Sequence, residues 1–334
     1  MKTAFLECEE WEKQIIQDLL KIDHIKFSEK ELSAENVENY ADFEIISTFI
    51  YSDLDLKVLE ELDNLKMIAT RSTGFDHIDM DYCKENDIVV TNVPTYGSRT
   101  VAEHVFGLLL TISHNLTEAI DRTRKGDFSQ EGLSGFDLYG KILGIIGTGK
   151  IGRRAIEIAR GFAMQVLAFD VKPDEELADK FGFEYVDFDR LLEESDVISL
   201  HVPANKKTRH MIAKDQFEKM KAGVVLINTS RGSVIDVEAL VNALGSGKVR
   251  AAGLDVLPEE PVIREEAELL RSVFRREHNL ETLLANHILL RLRNVVVTPH
   301  SAFNTREAVT RILKTSAENI RSFMEGKPQN EVSG

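Results

Sequence analysis

Positive charge is in deficit in this chain, and cysteine is scarce. Its 56 Asp and Glu outnumber 41 Lys and Arg, a formal net charge of -15. A surface of that sign repels phosphate backbones and anionic headgroups, which argues against nucleic acid and membranes as partners. The two cysteines, Cys8 and Cys83, form no metal-ligand spacing and no disulfide framework. Histidines are scattered, with no HxxxH or CxxC pair, so no metal site is expected. No apolar run approaches the ~18 residues of a membrane span. The opening "MKTAFLECEEWEK" turns acidic where a secretory leader would stay apolar. A reducing cytoplasm fits these features. Internal repeats and low-complexity tracts are also missing.

What is present is a globular composition. At 43% hydrophobic residues the chain can bury sizeable cores, and 334 residues make two domains the default. In the first hundred residues "TAFLE", "FEIISTFI", "LKMIAT" and "DIVVTNV" read as strands, with "EEWEKQIIQDLL" and "DLKVLEELDN" as helices between them. Such alternation predicts a parallel sheet of βαβ units. "TVAEHVFGLLLTISHNLTEAIDRTRKG", from Thr100, reads as one long helix with Gly126 as its stop. A second series follows: "KILGIIG", "MQVLAFD", "DVISLHV", "GVVLINT", "VRAAGLDV" and "NVVVTPH" as strands, the last of them buried. The charged stretch from Ile263 to Arg293 breaks this rhythm and looks helical.

"GIIGTGKIGRR" holds Gly147, Gly149 and Gly152 in a G-x-G-x-x-G that follows a predicted strand and opens a predicted helix. In that context the pattern is a dinucleotide fingerprint. Gly147 permits the tight turn, Gly149 lets a pyrophosphate approach the backbone, and Gly152 lets the helix pack on its strand. The helix N-terminus offers unpaired N–H groups and partial positive charge to the phosphates. The next strand ends in Asp170, 18 residues beyond Gly152, where a carboxylate would bind ribose hydroxyls and repel the extra phosphate of NADP. Lys172 lies close enough to soften that preference. The protein should bind NAD.

Three more segments carry reactive groups past predicted strand ends: Arg231 in "INTSRGSVID", Asp255 and Glu260 in "GLDVLPEEP", and His300 in "VVVTPHSAF". Singly, each has an ordinary reading as a surface arginine, a solvated acid or a loop histidine. Together they suit hydride transfer to a ketone, because ligands of open α/β sheets lie beyond the carboxyl ends of strands. A histidine can deliver a proton near neutral pH, and arginine's planar fork matches a carboxylate. A carboxylate behind the imidazole would favour its charged form.

The chain resembles the D-isomer-specific 2-hydroxyacid dehydrogenase family, and within it the D-lactate branch. The likeness runs from about residue 40 to about 320. It is carried by "RSTGFDHIDMDYC", "TNVPTYGSRTVAEH", "GIIGTGKIGRRAIEIA", "SDVISLHVP", "LINTSRGSVID", "GLDVLPEEP" and "TPHSAF". By that resemblance Arg231, Glu260 and His300 are the catalytic arginine, glutamate and histidine. Thr73 and Gly74 match the loop whose amides hold the substrate carboxylate. Tyr96 and Phe303 match the walls of a small substrate pocket. Lys150, Ile151, His201, Val202, Pro203, Thr208, Thr229 and Asp255 match cofactor contacts.

The resemblance implies two Rossmann-like α/β domains with parallel sheets. A flavodoxin-like substrate domain would comprise residues 1–98 and 300–334, with an NAD-binding Rossmann domain, 99–299, inserted in it. It also implies a homodimer centred on the long helix from Thr100. The expected activity is NADH-dependent reduction of a small 2-keto acid to its D-2-hydroxy acid, pyruvate to D-lactate first. Hydroxypyruvate, glyoxylate or a bulkier 2-keto acid is the alternative substrate, and a non-enzymatic NAD-sensing co-regulator the alternative class. Two features depart from the pattern. Forty residues separate Glu260 from His300, and "YGSRTVAEH" puts Gly97 and Arg99 beside Tyr96, where Arg99 would admit a second carboxylate on the substrate.

Overall fold

Strands of a sheet covered on both faces are apolar throughout rather than alternating. "IIST", "MIAT" and "VVLIN" open on such apolar runs and end in polar residues, and the computed structural model, which describes residues 1–258 and 280–332, buries all three completely. The chain divides into two compact units, Met1–Tyr96 with Asn304–Gly334, and Gly97–Phe303.

The first unit holds β1 (Thr3–Phe5), β2 (Ile25–Phe27), β3 (Ile45–Thr48), β4 (Met67–Thr70) and β5 (Val89–Thr91). They form an all-parallel sheet in the order β2-β1-β3-β4-β5, the flavodoxin-like winding. Its helices are α1 (Glu10–Leu20), α2 (Leu56–Leu59) and α3 (Met80–Glu85), and near its end Arg306–Met324 packs against α1. Asp55, Asp79 and Thr305 cap helices by accepting an N–H three residues on. On α1, the Glu12 carboxylate accepts the Glu9 N–H at 2.8 Å, and Ile16 and Leu20 turn inward.

The second unit opens with α4 (Ser98–Ser113) and α5 (Leu116–Arg124). The single helix expected from Thr100 is therefore two. Asn115 takes the left-handed conformation at φ 52, and its side-chain amide donates to the Leu133 and Ser134 carbonyls. Asparagine tolerates that backbone better than other non-glycine residues. Gly126, at φ 82, follows the end of α5 as expected.

Next come β6 (Ile142–Ile146), α6 (Lys150–Gly161), β7 (Gln165–Phe169), α7 (Glu175–Phe181), β8 (Glu184–Tyr185), α8 (Phe188–Glu194), β9 (Val197–Leu200), α9 (Lys214–Lys219) and β10 (Val224–Asn228). They are followed by α10 (Val237–Gly245), β11 (Val249–Leu254), α11 (Leu280–Arg291) and β12 (Val295–Val297); the first unit's last helix is α12 (Arg306–Met324). The seven-stranded sheet runs β12-β11-β10-β9-β6-β7-β8, again all parallel. Val295, Val296 and Val297 are half-buried rather than buried, because β12 is an edge strand. Of the charged stretch expected to be helical, Leu280–Arg291 is helix, whereas 263–279 lies outside the described residues.

Candidate functional site

In the second unit, strand order reverses between β6 and β9, the place where open α/β sheets bind ligands. The glycine loop follows β6. Gly147 has φ 98, and a Cβ there would stand 2.6 Å from the His201 carbonyl oxygen. A Cβ on Gly152 would stand 2.0 Å from the Gly147 oxygen. Gly149 differs: it is the N-cap of α6, has no side-chain cap, and a Cβ there would meet open space. That bare, uncapped backbone suits a pyrophosphate approaching the helix N-terminus. Lys150 and Ile151 begin α6.

Asp170 stands just past β7. Its Oδ2 accepts the Thr148 N–H at 2.7 Å and the Thr148 hydroxyl at 3.0 Å, and its Oδ1 accepts the Lys172 N–H at 2.9 Å. Burial works to raise its pKa, but these donors outweigh it and hold the carboxyl below its usual range. Tyr185, on a strand that the alternation pattern did not reveal, donates its hydroxyl to Thr148 Oγ1 at 2.8 Å and steadies the pair. The carboxylate is charged, half-buried and fixed in direction, as a ribose partner should be.

Beyond β9, His201 lies with Nε2 3.0 Å from the buried Ser199 hydroxyl. Burial pushes its imidazole down to about 4, so it is neutral at pH 7. Val202 is half-buried and Pro203 exposed. The Thr208 hydroxyl donates to the Pro203 carbonyl at 2.6 Å and accepts the Asn205 N–H, closing this loop. Past β10, Thr229 Oγ1 is buried with no partner among the described residues, an orphaned polar atom that a bound polar ligand would satisfy. These features fit a dinucleotide, which NAD is.

Arg231, Asp255 and His300 follow three neighbouring strands. Asn228 pairs in register with Leu254, and Leu254 with Val297. At ~4.8 Å per strand, the ends of β10 and β12 lie roughly 10 Å apart. Asn228, fully buried and missed in the sequence, shapes the arginine turn: it donates to the Arg231 carbonyl and accepts from the Ser230 N–H and hydroxyl. A Cβ on Gly232 would stand 2.3 Å from the Pro258 nitrogen, so the turn rests on the segment that leads to Glu260. Glu260 itself lies outside the described residues.

His300 has φ 50, a left-handed backbone that a non-glycine residue keeps only when its surroundings enforce it. Its N–H donates to the Asp255 and Thr298 carbonyls at 3.0 and 2.9 Å. The Asp255 carboxylate accepts the Ser301 and Ala302 N–H groups, both at 2.9 Å, and the Thr298 hydroxyl at 2.5 Å. His104, from α4, stands 3.0 Å from Thr298 Oγ1 and 3.4 Å from Asp255 Oδ1. Because the Thr298 hydroxyl donates to Asp255, it accepts from His104, which puts the imidazole proton on Nε2. Burial raises the Asp255 pKa, but His104, Thr298 and the loop amides more than reverse that, and the carboxyl stays below its usual range. At 1% exposed, Asp255 offers little surface to a cofactor; its visible work is to hold the His300 loop. His104, like Asn228, was missed, and the "AEH" run alone carried no signal of it.

In the first unit, Thr73 and Gly74 follow β4 and are exposed and half-buried respectively. Among the described residues neither of their N–H groups has a protein acceptor. Tyr96 is half-buried, and its carbonyl accepts from Arg311 Nε at 2.7 Å. In the second unit Phe303 is half-buried close to Gly97, and Arg99 is exposed on the first turn of α4. No metal-holding cluster occurs among the described residues.

The family model described as "D-isomer specific 2-hydroxyacid dehydrogenase, NAD binding domain" matches residues 106–302. The chain is 38% identical to a D-lactate dehydrogenase of Escherichia coli (strain K12), over 98% of each chain. It is 35% identical to a glyoxylate reductase of Thermococcus litoralis, over 89% of this chain and 86% of that one. Among solved structures, D-lactate dehydrogenase from Aquifex aeolicus complexed with NAD and lactic acid superposes with a TM-score of 0.86 at 37% identity. That match covers 100% of this chain and 99% of the other.

Proposed function

The chain belongs to the D-isomer-specific 2-hydroxyacid dehydrogenase family, and from that membership we propose that it reduces pyruvate to D-lactate with NADH. The observation that carries the reading is His300, a titratable side chain in an enforced left-handed turn past β12, whose loop is pinned by a buried carboxylate. We assign its imidazolium the proton that the ketone oxygen receives. Bound NADH supplies the hydride for the carbonyl carbon, so pyruvate, NADH and a proton become D-lactate and NAD, and the imidazole regains its proton from water. Arg231 is assigned the substrate carboxylate, with the Thr73 and Gly74 amides as further donors to it. Glu260 is assigned the task of holding the imidazole and favouring its charged form. Tyr96 and Phe303 are assigned the walls of a compact pocket.

The cofactor is assigned to the unit Gly97–Phe303 and the substrate-domain role to the other. Lys150, Ile151, His201, Val202, Pro203, Thr208, Thr229 and Asp255 are kept as its contacts, Asp255 also bracing the His300 loop. A homodimer is supported by the apolar side chains that α5 leaves exposed, Leu116 and Ile120, with Phe128, 80% exposed, beyond it. No described helix is long and apolar enough to cross a membrane. The free thiols of Cys8 and Cys83 agree with a cytoplasmic enzyme.

The test is oxidation of NADH by purified protein against pyruvate, hydroxypyruvate, glyoxylate and longer 2-keto acids, with His300→Asn alongside. Pyruvate should turn over fastest, and the variant should lose roughly 10²–10⁴-fold in kcat while still binding NADH. The similarity to a glyoxylate reductase favours one second reading: preference for glyoxylate would keep the chemistry and replace the substrate. NADH binding without turnover on any 2-keto acid would leave a sensor instead.

A further inference from the structure

The loop that presents Thr73 and Gly74 is held from outside its own strand. The Thr73 carbonyl accepts from Asn92 Nδ2 at 2.8 Å, and the Thr73 hydroxyl donates to the Val93 carbonyl at 2.9 Å. Asn92 is in turn gripped on both sides of its backbone. Its N–H donates to the Asn330 carbonyl at 3.1 Å, and its carbonyl accepts from Asn319 Nδ2 at 2.9 Å. Asn330 Nδ2 then donates to Asn319 Oδ1 at 2.8 Å. Asn319, on α12, is fully buried, and Asn92 is 8% exposed. The tail continues along the sheet edge: Glu331 bridges Thr91 antiparallel, and the Val332 N–H donates to the Val90 carbonyl at 3.0 Å.

The Thr73 carbonyl and the Gly74 N–H are two ends of one planar peptide, and in the trans form they point in opposite directions. No peptide bond among the described residues is cis. Fixing that oxygen on Asn92 therefore aims the Gly74 N–H, and the bond it accepts polarises the N–H further. Apolar side chains could join α12 to β5 without desolvating amides. A row of three asparagines ending on a peptide whose N–H has no acceptor among the described residues has another use.

We propose that Asn92, Asn319 and the tail Asn330–Val332 are positioning groups for catalysis, an amide relay that aims the Gly74 N–H at the carboxylate of the 2-keto acid. The inference rests on the role given above to Thr73 and Gly74. It makes the end of the chain part of substrate binding.

The test compares the unaltered chain with Asn319→Leu and with Asn330→Gly, which keeps the left-handed backbone at φ 56 and removes only the side chain. Hydrogen exchange of the Val93 amide, which donates to the Ser72 carbonyl, reports on loop docking without any substrate. It should quicken in both variants. KM for pyruvate should rise about three- to ten-fold, with kcat within about twofold and NADH affinity unchanged. Should Asn319→Leu fail to fold, Asn330→Gly, at an exposed position, decides alone. Unchanged exchange, or quicker exchange with an unchanged KM, overturns the relay. So does a rise in KM joined by a fall in kcat and in NADH affinity, which marks general loosening. If the unaltered chain reduces no 2-keto acid, the functional reading falls and takes the substrate role of the relay with it. The exchange readout still says whether the loop was held, which separates the two failures.

Discussion

The two sheets are wound alike and differ at the point where strand order reverses. In the five-stranded sheet that point lies between β1 and β3, and the chain fills it with its own side chains. Glu7, at φ 53, accepts the Tyr51 and Ser52 N–H groups and the Ser52 hydroxyl. Arg71, 2% exposed, donates to the Leu6 and Glu7 carbonyls. At the start of the helix that follows, α1, the Glu12 carboxylate folds back and accepts the Glu9 N–H at 2.8 Å. In the seven-stranded sheet the equivalent helix, α6, starts on Gly149 with no side-chain cap, and a Cβ there would meet open space. The same architecture thus carries a crevice closed by carboxylates and a crevice left for an anion. Winding supplies the place, and the residues after the strand decide whether a ligand enters it.

The comparison can be broken most severely at Gly147. Gly147→Ala forces a side chain onto a backbone at φ 98 and against the His201 carbonyl. NADH affinity should fall roughly ten- to a hundred-fold in a fluorescence titration; unchanged affinity would mean that the bare loop is not what binds the cofactor.

His201 gives a smaller effect, seen in acid. Its folded-state pKa of about 4 lies below the ordinary value near 6.5. The unfolded chain takes up the proton first, so this contribution to stability is complete above about pH 6.5 and is lost as pH falls towards about 4. His201→Asn should therefore flatten the pH dependence of unfolding between those limits. Parallel curves for the two proteins would show that the ring is not buried neutral.

The smallest change is expected at Glu7. Glu7→Gln weakens three charge-assisted bonds and should lower stability by about 0.5–1.5 kcal/mol, with one NADH per chain still bound. A second NADH in calorimetry would mean that this carboxylate alone kept the first crevice closed.

Particular residues show how far the sequence could be read. The buried strands were legible because continuous apolar runs between turns leave few alternatives. The glycine loop was legible because three glycines at fixed spacing each answer a different steric demand. By contrast, β2 and β8 went unseen: they are three and two residues long, lie at sheet edges and are only partly buried, so no pattern marks them. Asn115 was read through because an apolar stripe continues across it, while the break depends on carbonyls at Leu133 and Ser134. Asp255 was named as a cofactor contact from its motif; its buried bonds to Thr298, Ser301 and Ala302 make it the brace of the His300 loop.

By itself, the sequence determined the parallel α/β winding, the dinucleotide loop and the reactive side chains past strand ends. Each of these is written in local spacing, through strand periodicity, glycine sterics or a motif a few residues long. Tertiary structure alone decided what holds those side chains in place. His104 meets Thr298 across 194 positions, and Asn319 meets Asn92 across 227. A hydrogen bond depends on an approach of about 3 Å, and only the folded chain brings together groups so far apart in sequence.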